Sequence, residues 1–263
     1  TFGTELNEEQ AIRVMDRASE LGIYFFDTAD VYPVPISPET YGRAEEIVGR
    51  WLRGKRDSFV IATKCLNQVG PGPNDQGGSR KHIIEGCEKS LRRLQTDHVD
   101  IYYLMYLHFP QLMAPLDETL EALDRLVQAG KVLYVGVANG DAWELAVAME
   151  LIAERRFARI AVIQNRYNLV HRTDERDVLP LAQAAGFGYV PYNPLGGGIL
   201  TGTFRRDSGP TGRYTHPLYQ QRYWTKDVFN VAEAVAGVAR EEGCTPAQVA
   251  LAWLLAKPGV TAA

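Results

Sequence analysis

Residues 22 to 32 read Gly22-Ile23-Tyr24-Phe25-Phe26-Asp27-Thr28-Ala29-Asp30-Val31-Tyr32. The apolar run in this stretch is typical of a strand buried on both faces of a parallel sheet. A helix precedes it directly, because Asn7 and Gln10 form a capping pair and spaced apolar residues lead to a stop at Gly22. A helix that runs straight into such a strand predicts an α/β fold with parallel strands.

The same alternation continues along the chain. Predicted helices cover 43–52, 79–94, 115–129, 141–155, 174–185 and 226–242, with another from 245. Strand runs cover 59–63, 99–107, 132–137, 160–163 and 188–190, with another from 260 and a stump at 1–3. We therefore predict a single domain, residues 1–263, forming an α/β (β/α)8 TIM barrel whose first strand and C-terminal helices are truncated. A doubly wound sheet is the alternative, but no G-x-G-x-x-G follows the early strands.

The composition argues against several classes of partner. A chain of 263 residues with 46% hydrophobic content can bury one large core, and its net charge of -4 disfavours nucleic acid. No apolar run approaches the roughly 18 residues that cross a bilayer, and no signal sequence is visible. The three cysteines suggest neither disulfides nor a thiolate metal site. We expect a cytoplasmic protein with a small-molecule partner, no membrane, no metal and an oligomeric state left open.

Polar residues follow three of the predicted strands. In a parallel barrel the active site lies at these strand ends, where Asp27, Tyr32, Lys64 and His108 occur. Taken singly, each is better explained as a turn residue, a rim aromatic, a solvated lysine or a half-buried histidine. Four such residues at three strand ends favour a shared function.

Their chemistry is mutually consistent. Reducing a carbonyl by hydride transfer needs a proton donor, and the Tyr32 phenol serves near neutral pH only if its pKa is lowered. The Lys64 ammonium favours the phenolate, and the Asp27 carboxylate keeps that lysine charged and in place. The His108 imidazole can donate a hydrogen bond to the substrate oxygen. These residues indicate carbonyl reduction.

The sequence resembles the aldo-keto reductase family over nearly its whole length, including bacterial members and the aflatoxin-aldehyde reductase and potassium-channel β-subunit branches. Residues 22–32, 61–64, 129–139 and 192–202 carry this resemblance in family order. It implies a catalytic tetrad of Asp27, Tyr32, Lys64 and His108. It also implies NADPH as the cofactor, extended across the barrel mouth.

The resemblance further implies roles for residues at the later strand ends. It places the nicotinamide carboxamide at Asn139 and Gln164, the nicotinamide ring on Tyr192, and the pyrophosphate at Asn193, Leu195, Gly197 and Gly202. Residues next to the tetrad predict an apolar, aromatic-walled substrate pocket: Val31, Leu66, Phe109 and Trp224. Such a pocket favours a hydrophobic or ring-bearing carbonyl.

The sequence departs from the family pattern at the fourth catalytic position. From Asp100 to His108 the chain is three residues longer than the family's Asp-x-Tyr-x-x-His spacing, so counting forward selects Met105. Counting back from Pro115 selects His108, which we prefer, although a bulge or an early strand end must absorb the extra residues. Ala138 and Thr203 replace a polar residue that the family commonly has at each place, and the choice of NADP over NAD stays open.

Three candidate functions follow, two of them enzymes and one a regulatory protein. The first is an NADPH-dependent reductase of aldehydes or ketones. The alternatives are a cofactor-binding regulatory subunit that turns over slowly or not at all, and an enone reductase if Met105 replaces the imidazole.

Overall fold

The computed structural model describes residues 2–107 and 112–263. These residues form two compact units, divided between Val162 and Ile163. None of the helices in the described ranges is long and apolar enough to cross a membrane. That residues 1–263 form a single domain stays a prediction.

The first unit alternates helices with parallel strands. Its helices are α1 (Glu8–Glu20), α2 (Arg43–Trp51), α3 (Arg80–Leu94), α4 (Leu116–Gln128) and α5 (Ala142–Arg155). Its strands are β1 (Phe25–Asp27), β2 (Val60–Cys65), β3 (Val99–Leu104), β4 (Val132–Ala138) and most of β5 (Ile160–Gln164). Each strand lies beside the next one in the chain, and β1 to β4 pair in parallel. The predicted parallel α/β sheet is confirmed.

The second unit holds the end of β5 and strand β6 (Gly188–Tyr189). Its helices are α6 (Val178–Ala185), α7 (Pro217–Tyr223), α8 (Lys226–Glu241) and α9 (Pro246–Leu255). Val190 N donates to Ile163 O at 2.9 Å, so the parallel pattern continues here. Val260 makes only an isolated bridge to Tyr189 where a strand was predicted. The described residues therefore contain six strands, and the eight-stranded closure stays a prediction.

Side-chain caps set the helix starts where the sequence predicts them. Asn7 Oδ1 accepts from Gln10 N at 2.9 Å, and Gln10 Oε1 accepts from Asn7 N at 3.0 Å, which completes a capping box. Thr245 caps α9 in the same way, with Pro246 in the first turn. These bonds satisfy amide groups that the first helical turn leaves without partners, so the starts are encoded locally.

Two predicted boundaries were wrong, and one helix was not predicted. Strand β3 ends at Leu104 and not at 107. Helix α6 begins at Val178, because Thr173–Glu175 form a separate 3-10 turn. Residues 193–225, to which no helix or strand was assigned from the sequence, contain α7. Tyr223, which is 1% exposed, is buried in the hydrophobic cluster of the second unit, which also contains Leu200, Tyr214 and Phe229. This burial stabilises the short helix.

Gly49 allows α2 and α3 to pack with their backbones in close contact. A Cβ at this position would lie 2.3 Å from the Arg93 carbonyl oxygen and 2.7 Å from the Leu94 carbonyl carbon. Because both atoms belong to the backbone, a side chain could be accommodated only by moving the helices apart. The glycine therefore fixes the distance between α2 and α3.

We expect Gly49→Ala to lower the free energy of unfolding by about 2 kcal/mol, as overpacking typically does. Chemical denaturation measures this change. Gly237→Ala in α8 is the matched control, since its Cβ would meet nothing nearer than the Arg240 side chain at 3.9 Å. There we expect a small gain in stability, because alanine favours a helix. Equal effects at the two glycines would contradict the packing argument.

Candidate active site

Strands β1 and β2 bring Asp27 and Lys64 together. Asp27 is the last residue of β1 and pairs in register with Ala62 of β2. The pairing continues past the strand end, because Thr28 N donates to Ala62 O at 2.9 Å and Asp30 N donates to Lys64 O at 3.2 Å. The segment after β1 is therefore held along β2, beside the lysine.

Lys64 is a buried cation with two partners. Its side chain is 1% exposed, and its ammonium forms an ion pair with the Asp27 carboxylate, which is 28% exposed. The same nitrogen donates to the Thr28 carbonyl oxygen at 2.8 Å. Burial lowers the pKa of Lys64, but the charge of Asp27 and the Tyr32 side chain outweigh burial and raise this pKa above its ordinary value. The amine therefore stays protonated across the neutral range.

Two phenol rings flank this ammonium. The Lys64 nitrogen lies 5.2 Å from the centre of the Tyr32 ring and 5.6 Å from that of Tyr103. The Tyr32 backbone is anchored on both sides, by donation to Ala29 O at 3.1 Å and by a bond from Ala44 N at 3.3 Å. The structure thus brings Asp27, Tyr32 and Lys64 into one cluster.

Tyr103 was missed by reasoning from the sequence. It pairs in register with Lys64 across β2 and β3, so the two side chains share one face of the sheet. Its ring fits because β4 has Gly136 at this point, where a Cβ would lie 2.4 Å from the ring. A register drawn through Lys64 would have identified it.

The end of β3 bears on the fourth catalytic position. Met105 N donates to Cys65 O at 3.0 Å, and Met105 O accepts from Asn139 Nδ2 at 2.9 Å. The Met105 residue is 7% exposed. Strand β3 ends three residues earlier than predicted, so residues 105–107 follow the strand. His108 and Phe109 lie outside the described residues, so both assignments stay predictions.

The first unit also contains three of the remaining predicted site residues. Val31 is fully buried, and Leu66, which is 3% exposed, has φ of 110° directly after β2. Asn139 follows β4 with φ of 51°. Left-handed backbone at non-glycine residues is costly and often marks functional sites. Leu66 and Asn139 both show it at strand ends.

The second unit contains the residues predicted at the pyrophosphate. Asn193 has φ of 57°, and its carbonyl oxygen accepts from Asn168 Nδ2 at 2.8 Å. Gly197 and Gly202 have φ of 70° and 75° within or just after the 3-10 segment Gly196–Thr201. A Cβ at Gly197 would lie 3.0 Å from Tyr219. Their positive φ explains glycine at both positions, and a pyrophosphate contact at this turn stays a prediction.

The other predicted residues of this unit have varied surroundings. Gln164, 6% exposed, ends β5, and Tyr192 N donates to Asn165 O at 2.9 Å. Leu195 and Trp224 are partly buried and pack against the hydrophobic cluster of the second unit. The Trp224 ring centre lies 5.0 Å from that of Phe229. These contacts give Leu195 and Trp224 a packing role within their unit.

Comparison with known proteins adds the deciding observation. The sequence profile of the aldo/keto reductase family matches residues 1–263. The chain belongs to this family. The resemblance stated above is confirmed, and an aldo/keto reductase is an oxidoreductase that generally uses NAD(P)H.

Relatives of this aldo/keto reductase include enzymes and a channel subunit. The uncharacterized oxidoreductase YrpG of Bacillus subtilis is 36% identical over 99% of this chain and 79% of its own length. The probable voltage-gated potassium channel subunit beta of Arabidopsis thaliana is 34% identical, with the same coverage. L-glyceraldehyde 3-phosphate reductase of Escherichia coli is 33% identical over 99% of this chain and 75% of its own length.

Proposed function

We propose that this aldo/keto reductase reduces an aldehyde or ketone to the alcohol, with NADPH as hydride source and Tyr32 as proton donor. The observation that carries the proposal is the buried Lys64 ammonium between Asp27 and the Tyr32 ring. A cation beside a phenol favours its ionised form, so it stabilises the charge that develops on Tyr32 as its proton moves to the carbonyl oxygen. Asp27 holds the cation in place.

NADPH, when bound, supplies the hydride that adds to the carbonyl carbon. In the first unit we assign Asn139 to the nicotinamide carboxamide, because its amide lies at the end of β4. In the second unit we assign the carboxamide, the ring and the pyrophosphate to residues at two strand ends and the glycine turn: Gln164, Tyr192, Asn193, Leu195, Gly197 and Gly202. Family membership and parallel strands in chain order support the (β/α)8 barrel.

We further propose an apolar or ring-bearing substrate. The support is the apolar character of the residues assigned to the pocket: Val31, Leu66, Phe109 and Trp224. A non-catalytic regulatory role is the second candidate, since two plant relatives at 34% identity are named potassium channel subunits beta. The ion pair of the buried Lys64 with Asp27 favours the enzyme, because an ion pair beside a phenol assists proton transfer.

Turnover separates these candidates. NADPH absorbance is followed with aromatic, aliphatic and sugar carbonyls, and with NADH as a second cofactor. We expect the fastest oxidation of NADPH with the ring-bearing carbonyls. NADPH binding, measured by fluorescence quenching, without oxidation by any carbonyl would refute the reductase and favour the regulatory subunit.

The fourth catalytic position is tested by a pair of variants. If His108 donates a hydrogen bond to the substrate oxygen, His108→Ala lowers kcat for ketone reduction by about 100-fold, as loss of one such donor does. Met105→Leu is the control and keeps kcat near that of the parent. The reverse ranking, together with reduction of an enone C=C bond, would assign the position to Met105.

A further inference from the structure

A third carboxyl, that of Asp30, is buried beside the catalytic pair. Asp30 lies in the segment between Asp27 and Tyr32, and it is 2% exposed. Neither of its carboxyl oxygens has a hydrogen-bond partner among the described residues. An ionised carboxyl in such a place lacks the solvation and the donors that normally stabilise its charge.

The other buried carboxyl nearby, that of Glu45 in α2, accepts a hydrogen bond at each of its two oxygens. Its side chain is 0% exposed and accepts from Thr63 Oγ1 at 2.6 Å and from Arg93 Nε at 2.6 Å. The Arg93 guanidinium of α3 is therefore engaged with Glu45. The Lys64 ammonium is engaged in the same way with Asp27 and the Thr28 carbonyl oxygen.

The charges of this cluster do not balance if every carboxyl is ionised. Asp27, Asp30 and Glu45 would carry three negative charges against the two cations of Lys64 and Arg93. Of the three carboxyls, Asp27 is 28% exposed and Glu45 accepts two hydrogen bonds, so solvent or donors stabilise those two charges. Asp30 is the one whose oxygens accept no hydrogen bond from the described residues.

The electrostatic surroundings of Asp30 agree with this assignment. Burial raises the pKa of Asp30 well above its ordinary value and the Glu45 charge raises it further, while Arg93, the Val31 amide and Lys64 lower it by less. The Val31 amide acts on the carboxyl without reaching hydrogen-bonding geometry. The titratable and charged groups that face Asp30 come from α2, α3, β2 and β3: Glu45, Arg93, Lys64, Cys65 and Tyr102.

We propose that Asp30 carries a proton at neutral pH and acts as a positioning residue for Lys64. With Asp30 neutral, Asp27 is the carboxylate paired with the ammonium, and the remaining field of Lys64 acts on Tyr32. When Asp30 ionises, its charge opposes the negative charge that develops on Tyr32 during proton transfer. The catalytic part of this inference rests on the proposed function, whereas the proton on Asp30 does not.

The pH dependence of the unfolding constant detects this proton without any measurement of enzyme activity. Between the pKa of Asp30 in the unfolded chain and its raised value in the fold, the folded protein holds a proton that the unfolded chain has released. Rising pH then favours unfolding, by about tenfold in the unfolding constant per pH unit for one proton. Asp30→Asn has no such proton to lose.

The experiment is denaturant unfolding of the full chain from about pH 5 to pH 8, a range above the ordinary pKa of an aspartate. We expect the ratio of the parent's unfolding constant to that of Asp30→Asn to rise about tenfold per pH unit. Asp57 is exposed, so Asp57→Asn is the matched control. We expect the ratio of the parent's unfolding constant to that of this variant not to change with pH. A flat ratio for Asp30→Asn as well would overturn the proposal. If Asp30→Asn does not fold, Asp30→Ser removes the same proton and gives the same comparison.

The positioning role has its own readout. We expect the ratio of kcat/KM for Asp30→Asn to that of the parent to rise with pH, because only the parent gains the opposing charge. A purely structural Asp30 would leave this ratio independent of pH, and that result would overturn the positioning role. The unfolding ratio could rise tenfold per pH unit while the protein reduces no carbonyl. That result would refute the proposed reductase and still establish the proton on Asp30.

Discussion

Tyr32→Phe is expected to lower kcat for carbonyl reduction by about 1,000-fold, within the range that general acid catalysis contributes. The substitution removes only the hydroxyl that gives its proton to the carbonyl oxygen. The ring that faces the Lys64 ammonium at 5.2 Å remains, so the local packing is kept. Stopped-flow measurement of NADPH oxidation under saturating carbonyl separates this loss from slow product release.

Two controls accompany this variant. NADPH binding, measured by fluorescence quenching, should match that of the parent, because the hydroxyl is assigned to the substrate oxygen and not to the cofactor. Tyr24→Phe makes the same chemical change at a side chain that is 55% exposed, and kcat should not change there. Full turnover in Tyr32→Phe would show that another group is the acid, and His108 would then be tested first.

Lys64→Met is expected to lower kcat/KM by at least about 100-fold, in line with the loss of assistance to the acid. Methionine fills a similar volume but carries no charge, so nothing offsets the negative charge on Tyr32 in the transition state. Asp27 also loses its ion-pair partner. The pH profile of kcat/KM is the second measurement, because without the ammonium the acid is weaker and its limb moves to higher pH.

Lys55→Met is the matched control for this change. Lys55 is also paired with an aspartate, Asp16, at 3.3 Å, but its side chain is 37% exposed and lies on another part of the first unit. We expect its activity and pH profile to match those of the parent. If Lys64→Met retained the parent's pH profile, the ammonium would have no effect on the acid, and the ion pair of Lys64 with Asp27 would need a different explanation.

The helix starts and most of the strands could be predicted from the sequence because local signals encode them. Asn7, Ser79 and Thr245 each cap a helix where the sequence places one. A capping bond joins residues only three apart, so the residues themselves decide it. The strands could be located because burial on both faces requires continuous apolar runs.

Other boundaries depended on contacts between distant residues. Helix α7 has seven residues and carries no periodic signal long enough to predict it, and aromatic packing within the second unit stabilises it. The end of β3 at Leu104 depends on where its neighbours β2 and β4 stop pairing with it. The apolar run through 107 gives no sign of that limit.

Asp27, Tyr32 and Lys64 could be chosen from the sequence as a set because their strand ends and their chemistry are both visible in it. That they lie together is a result of the parallel pairing of β1 with β2. Tyr103 could be found only through the register of β2 with β3, which no local pattern specifies. Asp30 was visible in the sequence as one more acidic residue of a turn.

The sequence by itself determined which residue types stand at the strand ends, because helix caps and apolar runs act over a few residues. Only the tertiary structure decided the charge balance around Lys64. Burial of Glu45 against Arg93 and of Asp30 beside Lys64 arises from the packing of α2, α3 and β2, and ionisation depends on such three-dimensional surroundings.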